Sequence, residues 1–215
     1  MSSRPLVAVL DYGIGNLHSA QKALEKCGAD ARLTVDPDLV ADADGVVLPG
    51  VGAFGACMRA LRSVGLEPPA VAAAASGRPF LGICVGMQML FDGSEENLDA
   101  RGLGVIPGTI RWIPPGVKIP QMQWNRLDLT RPDDPMLTDL GDDPWVYFVH
   151  SLHGVPDDPT VVAATCEYGA RLNAAFRLDN VFATQFHPEK SGPTGLRLLT
   201  NFVGVCAAAT AQPAR

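Results

Sequence analysis

Short apolar runs alternate with helix-period segments along the first half of the chain. Leu6-Val7-Ala8-Val9-Leu10 is a continuous apolar stretch that stops at Asp11-Tyr12-Gly13-Ile14-Gly15-Asn16, the pattern of a buried strand followed by a turn. Leu17, Ala20, Leu24 and Cys27 then recur at helical spacing, with Asn16 as the predicted cap and Gly28 as the stop. Ala31 to Val35 and Gly45 to Leu48 are further strand candidates, separated by an Asp36-Pro37 turn leading toward a short helix. Helices are predicted near Ala56 to Leu61 and Ala70 to Ala75, then an apolar strand ending at Cys84 and a helix from Val85 to Phe91. This alternation predicts an α/β fold, a central mostly parallel sheet flanked by helices.

Beyond this point the pattern changes. From about Gly102 to Leu140 the chain is rich in Gly, Pro and Asp and lacks a helical period, so short strands and loops are expected. Trp145 to His150, Val161 to Cys166, Asn173 to Leu178 and Val181 to Phe186 are closely spaced strand candidates, compatible with an antiparallel extension of the sheet. A last helix is predicted from Thr194 to Ala207, with Leu196, Leu199, Phe202, Val203 and Cys206 on one face and a frayed tail from Ala208. With 215 residues, 47% of them hydrophobic, and no linker-like stretch, a single domain over 1–215 is expected, its ordered core covering about 5–207.

Charge and cysteine content narrow the setting. A net charge of −6 disfavours nonspecific binding to nucleic acid or anionic membranes. No apolar stretch reaches the length of a membrane span, and Met1-Ser2-Ser3-Arg4-Pro5 leads into a strand rather than a signal-peptide core, so a cytoplasmic location is expected. The five cysteines are odd in number and never spaced as CxxC, which fits reduced thiols better than disulfides or a zinc knuckle. His150 and His153 form an HxxH without a third ligand, so no metal site is expected.

Candidate chemistry concentrates at Cys84. In Gly82-Ile83-Cys84-Val85-Gly86 a strand turns sharply into a helix at a cysteine with glycine two residues away on each side. Such an elbow forces the side chain outward, and glycine lets the strand and helix approach closely. The helix N-terminus favours a thiolate and can hold a developing oxyanion. Leu48-Pro49-Gly50-Val51-Gly52 follows another predicted strand, so both glycine-rich turns should open at one carboxyl edge of the sheet. The amide of Val85 and one from Val51 or Gly52 are the candidate oxyanion donors. Gln185-Phe186-His187-Pro188-Glu189 supplies an imidazole with a carboxylate two positions on, pointing the same way if Pro188 holds the segment extended. Cys84, His187 and Glu189 read together as a catalytic triad.

Through Gly82-Ile83-Cys84-Val85-Gly86-Met87-Gln88 and His187-Pro188-Glu189 the chain resembles, over essentially its whole length, the class I (triad) glutamine amidotransferases. Asp11 to Asn16, Pro49 to Gly55, Met87 where many relatives carry histidine, Tyr147 to Ser151 and Gln185 to Ser191 narrow the resemblance to the branch that serves imidazole glycerol phosphate synthesis. The resemblance implies a flavodoxin/Rossmann-like fold and hydrolysis of L-glutamine to glutamate and ammonia without a cofactor. It further implies a heterodimer with a (β/α)₈-barrel cyclase subunit, which uses the ammonia to make imidazole glycerol phosphate and aminoimidazole carboxamide ribotide in histidine biosynthesis. Gln88 and Glu96 are then substrate-binding candidates, and Trp124, Asn125 and Lys190 partner-interface candidates. The glycines around Val51 make a peptide flip easy, so the Pro49 to Gly52 loop is expected to align only when the partner is loaded.

Two stretches depart from that branch. Gln121-Met122-Gln123-Trp124-Asn125 stands where it reads His-Met-Gly-Trp-Asn, near the expected partner-facing surface, and Leu152 stands where tyrosine is usual, near the expected glutamine site. Three other readings stay open: the glutaminase subunit of another synthase such as anthranilate synthase, a noncatalytic partner-binding scaffold, and a general cysteine hydrolase. Met87 and the Pro49 to Gly55 stretch argue against the first, and the complete set of Cys84, His187 and Glu189 against the second.

Overall fold

The computed structural model describes residues 4–210. Its first half alternates β1 (Leu6–Leu10), α1 (Leu17–Lys26), β2 (Asp30–Thr34), α2 (Pro37–Asp42), β3 (Gly45–Gly50), α3 (Phe54–Ser63), α4 (Glu67–Ala75), β4 (Phe80–Cys84) and α5 (Val85–Met89). Short strands follow: β5 (Phe91–Ser94), β6 (Asn97–Arg101), β7 (Ile106–Trp112), β8 (Gln121–Arg126), β9 (Asp128–Leu129), β10 (Trp145–His150) and β11 (Leu152–Pro156). Three longer-range strands, β12 (Val162–Glu167), β13 (Arg171–Leu178) and β14 (Val181–Thr184), precede the last helix, α6 (Gly192–Thr210).

The main sheet has the order β2-β1-β3-β4-β14-β13-β12-β9. The pairs from β2 through β14 are parallel, and β13, β12 and β9 extend the sheet with antiparallel pairs. Every residue of β3, β4 and β14 is buried, which is why these segments read as unbroken apolar runs: strands covered on both faces have no polar side to alternate with. The helix α6 seats Leu198, Leu199, Phe202 and Cys206 in the core, and the bare Cα of Gly45 lets Cys206 and Phe202 lie directly on the start of β3.

Several expectations are corrected. The helix after Cys84 ends at Met89 rather than Phe91, because Phe91 opens β5, whose ring packs edge-on against Phe176 at 5.3 Å between centroids. With β11, β7 and β6 it forms a second, four-stranded sheet. Trp145 to His150 does not extend the main sheet; β10 pairs with β8 in a separate antiparallel ribbon. Val181 to Phe186 is not antiparallel to its inner neighbour: β14 runs parallel to β4 and stops at Thr184, whose hydroxyl donates to the Phe186 carbonyl at 3.0 Å and turns the chain away. Asn16 occupies the N-cap of α1 through its backbone carbonyl, but its side chain makes no capping bond. The last helix starts earlier, with Pro193 in its first turn, and its alanines carry it to Thr210 instead of fraying from Ala208. The remainder of the predicted tail and the first three residues, Met1 to Ser3, lie outside the described residues. Among the described residues no helix is long and apolar enough to cross a membrane.

Candidate active site

Strands β3 and β4 pair in parallel with Gly50 opposite Cys84, so the two glycine-rich turns do open side by side. Cys84 has φ 54° and ψ −114°, a conformation that non-glycine residues adopt only at an energetic cost. Its surroundings enforce it. A Cβ on Gly86 would overlap the Leu48 carbonyl, and one on Gly50 would stand 2.6 Å from the Gly86 nitrogen and 2.8 Å from the Tyr12 hydroxyl. A Cβ on Gly82 would meet Met87 Cα at 3.0 Å. Backbones therefore touch at positions 50, 82 and 86, and the chain has little freedom at the elbow other than the strained one.

The neighbour of β4 is β14, with Thr184 opposite Ile83, and the chain leaving β14 carries His187 toward Cys84. The segment is pinned from both sides: His187 N donates to Tyr147 O at 3.1 Å, Ser191 Oγ donates to His187 O at 2.6 Å, and Tyr147 N donates to Ser191 Oγ at 2.9 Å. Pro188 does not hold the segment extended. Pro188–Lys190 is a single 3₁₀ turn, and it is this turn that swings Glu189 back to the ring. His187 Nδ1 lies 2.8 Å from Glu189 Oε1, with both side chains almost wholly buried. That leaves Nε2 free, and His187 and Cys84 border the same cavity. Burial alone lowers the imidazole pKa, but the neighbouring Cys84 and Glu189 groups outweigh it and raise it to about 10.

A cavity of about 410 Å³ opens over these groups. Its wall contains Cys84, His187, Val51, Gly52, Val85, Gln88, Glu96 and Lys190, so the structure brings together most of the residues singled out in the sequence. Glu189 stands behind His187. Glu96 accepts a hydrogen bond from Phe54 N at 2.7 Å, fixing the start of α3 against the cavity. Trp124 lies outside the cavity on the exposed face of β8, its ring 6.2 Å from that of Tyr147, and Asn125 donates to Glu167 O at 2.8 Å.

Gln185, to which sequence reasoning assigned no role, is wholly buried in the site. Gln88 Nε2 donates to Gln185 Oε1 at 3.1 Å, and Gln185 Nε2 reaches Cys84 Sγ at 3.9 Å, so the two amides form a short polar chain to the thiol. Its place two residues before His187 was the available signal. Gln121 is fully buried, with Oε1 2.8 Å from His150 Nε2. His150 Nδ1 in turn lies 2.7 Å from the Leu152 carbonyl, so position 152 enters this network through main chain. Burial pushes the His150 pKa down to about 4. Among the described residues no group of three or more His, Cys, Asp or Glu is arranged to hold a metal ion.

Residues 8–205 match the family model for class-I glutamine amidotransferases, and the chain belongs to that family. Curated relatives are closely similar. The imidazole glycerol phosphate synthase subunit HisH of Synechococcus elongatus is 52% identical over 215 residues, covering 99% of both chains. HisH of Acaryochloris marina is 50% identical over 213 residues, covering 98% of this chain and 99% of its own. Among solved structures, Thermotoga maritima PurLQS shares the fold with a TM-score of 0.74 and 22% identity, over 94% of this chain and 98% of that one. A structure described as a glutamine amidotransferase aligns with a TM-score of 0.73 at 21% identity, over 93% of this chain and 98% of that one.

Proposed function

We propose that this chain is the glutaminase subunit of imidazole glycerol phosphate synthase, and that Cys84, His187 and Glu189 perform the hydrolysis. The observation that carries the residue assignment is the Glu189–His187 hydrogen bond together with a thiol at a strained elbow, His187 and Cys84 both on the wall of one cavity. The Cys84 thiolate attacks the γ-amide carbon of L-glutamine, and the negative oxygen of the tetrahedral intermediate is held by the Val85 amide with a second amide from Val51 or Gly52. Protonated His187, held in line by Glu189, gives its proton to the departing nitrogen, and ammonia leaves a γ-glutamyl thioester. The neutral imidazole then takes a proton from water, hydroxide adds to the thioester carbon, and collapse expels the thiolate and glutamate. The chain's own groups complete this cycle without a cofactor. Gln88 and Glu96 line the space where the substrate's amino and carboxylate groups would sit.

Ammonia passes to a HisF-type cyclase, a (β/α)₈ barrel, which forms imidazole glycerol phosphate and aminoimidazole carboxamide ribotide in histidine biosynthesis. The partner-facing surface is the outer face of the β8–β10 ribbon. There Met122 and Trp124 stand opposite Val149 and Tyr147, and Val149 also borders the cavity. Met122 is 61% and Trp124 47% exposed, an apolar face that favours a covering protein. Lys190, exposed at the cavity wall, lies between the two sites. The test is Cys84→Ala in the assembled complex. Glutamine-dependent synthesis should vanish while synthesis from added ammonium salt persists. Continued turnover of glutamine by that variant would overturn the assignment.

A further inference from the structure

Two buried side chains that the mechanism does not use grip the loop between β3 and α3. Tyr12 donates from its hydroxyl to the Pro49 carbonyl at 2.6 Å and lies 3.7 Å from Met89 Sδ. Cys57, in the first turn of α3, donates from Sγ to the Val51 carbonyl at 3.2 Å. Tyr12 is 3% and Cys57 0% exposed, and neither borders the cavity, whereas Val51 and Gly52 do. The loop they hold is the one whose amides are assigned to the oxyanion.

The geometry points to Tyr12 and Cys57 as positioning residues that set the peptide orientation of the Pro49 to Gly52 loop, and through it the aim of the second oxyanion donor. This inference rests on the reading of Cys84 as the nucleophile. A planar trans peptide directs its N–H opposite to its C=O. Cys57 sits behind the loop, so drawing the Val51 carbonyl toward it turns the Gly52 N–H to the cavity side. If that peptide turned over, a carbonyl oxygen would face the developing negative charge where a donor is needed. Nothing in the local backbone opposes such a turn: Gly52, at φ +86°, has open space around its Cα, and a loop of this kind moves readily. The restraint therefore falls to the side chains. Tyr12 holds the preceding carbonyl, and Glu96 accepts from Phe54 N just beyond, so Cys57 grips the middle of a segment fastened at both ends. Apolar residues of similar size would fill the same space, but they would leave these carbonyls free to turn.

The experiment measures glutaminase kcat and KM for L-glutamine with the full-length chain assembled with its cyclase subunit, comparing wild type with C57A, C57S and Y12F. The C57A protein should lose about 10-fold in kcat, less than the roughly 10²–10³-fold that follows outright removal of an oxyanion donor, with KM changing less than about twofold. C57S, whose hydroxyl still donates, should recover most of the lost kcat, and Y12F should lose kcat in the same way as C57A. Wild-type kcat in C57A would overturn the inference, as would equal losses in C57A and C57S accompanied by equal falls in melting temperature, the mark of packing alone. Glutamine turnover surviving in C84A would instead overturn the nucleophile reading, a separate outcome.

Discussion

At Cys84 a side chain is held where glycine would be more comfortable. The φ of 54° with ψ of −114° is a stored cost, and the close backbones at Gly50 and Gly86 keep the chain from relaxing it. The usual preference for alanine over glycine should therefore be inverted here: Cys84→Gly is expected to be about 1 kcal/mol more stable than Cys84→Ala, measured by urea denaturation of the two inactive proteins. At Glu189 the cost is electrostatic rather than conformational. A carboxylate buried with its charge against His187 keeps Nδ1 protonated and the ring aimed at the thiol. Glu189→Gln should lower kcat by roughly 10²–10⁴-fold with little change in KM, because an amide cannot stabilise the imidazolium and can favour the wrong tautomer. The same substitution removes one of the two groups that raise the His187 pKa, so the alkaline limb of the kcat/KM profile should move to lower pH.

Among the elements, the parallel core was the most legible part of the chain. Segments such as Leu6–Leu10 and Phe80–Cys84 are apolar at every position, and turn residues mark their ends. The second sheet was not legible. Asn97–Arg101 is polar and mostly exposed, and Leu152–Pro156 is interrupted by glycine and ends in proline, so neither carries the alternation that identifies a strand in isolation. Tertiary pairing makes them strands. The candidate site divides in the same way. Cys84, His187 and Glu189 were visible through glycine spacing and a two-residue offset, whereas Tyr12, Cys57, Gln121 and Gln185 were not, because their contacts span distant parts of the chain. The Gln121–His150–Leu152 network that ties β8, β10 and β11 has a measurable signature. Because burial lowers the His150 pKa from 6.5 to about 4, the contribution of this residue to stability should be complete above pH 6.5 and fall as the pH drops toward 4. His153, also depressed by burial, adds a loss of the same sign, whereas His187, whose pKa is raised, contributes stability that is complete below pH 6.5 and is lost as the pH rises toward 10. His150→Gln should flatten the urea-unfolding free energy between pH 6.5 and about 4, removing up to ~3 kcal/mol of pH dependence.

For the whole molecule, the candidate site and the proposed docking surface adjoin each other. The open edge of β3 and β4, the cavity, and the exposed face of the β8–β10 ribbon are contiguous through Pro120 and Val149. A charge placed on that face should separate assembly from folding. Met122→Asp is expected to weaken binding of the cyclase subunit about 10-fold or more by calorimetric titration, while leaving the melting temperature of the isolated chain near that of the parent. The order of the main sheet has a consequence of another kind. Cys84 and His187 hang from adjacent strands, β4 and β14, yet all the strands from β5 to β13 come between these two in the polypeptide. A nascent chain still threading out of the ribosome exposes its sulfur well before the ring that must work with it has been synthesised. On the proposed assignment, copies cut short before His187 lack the ring and would release no ammonia.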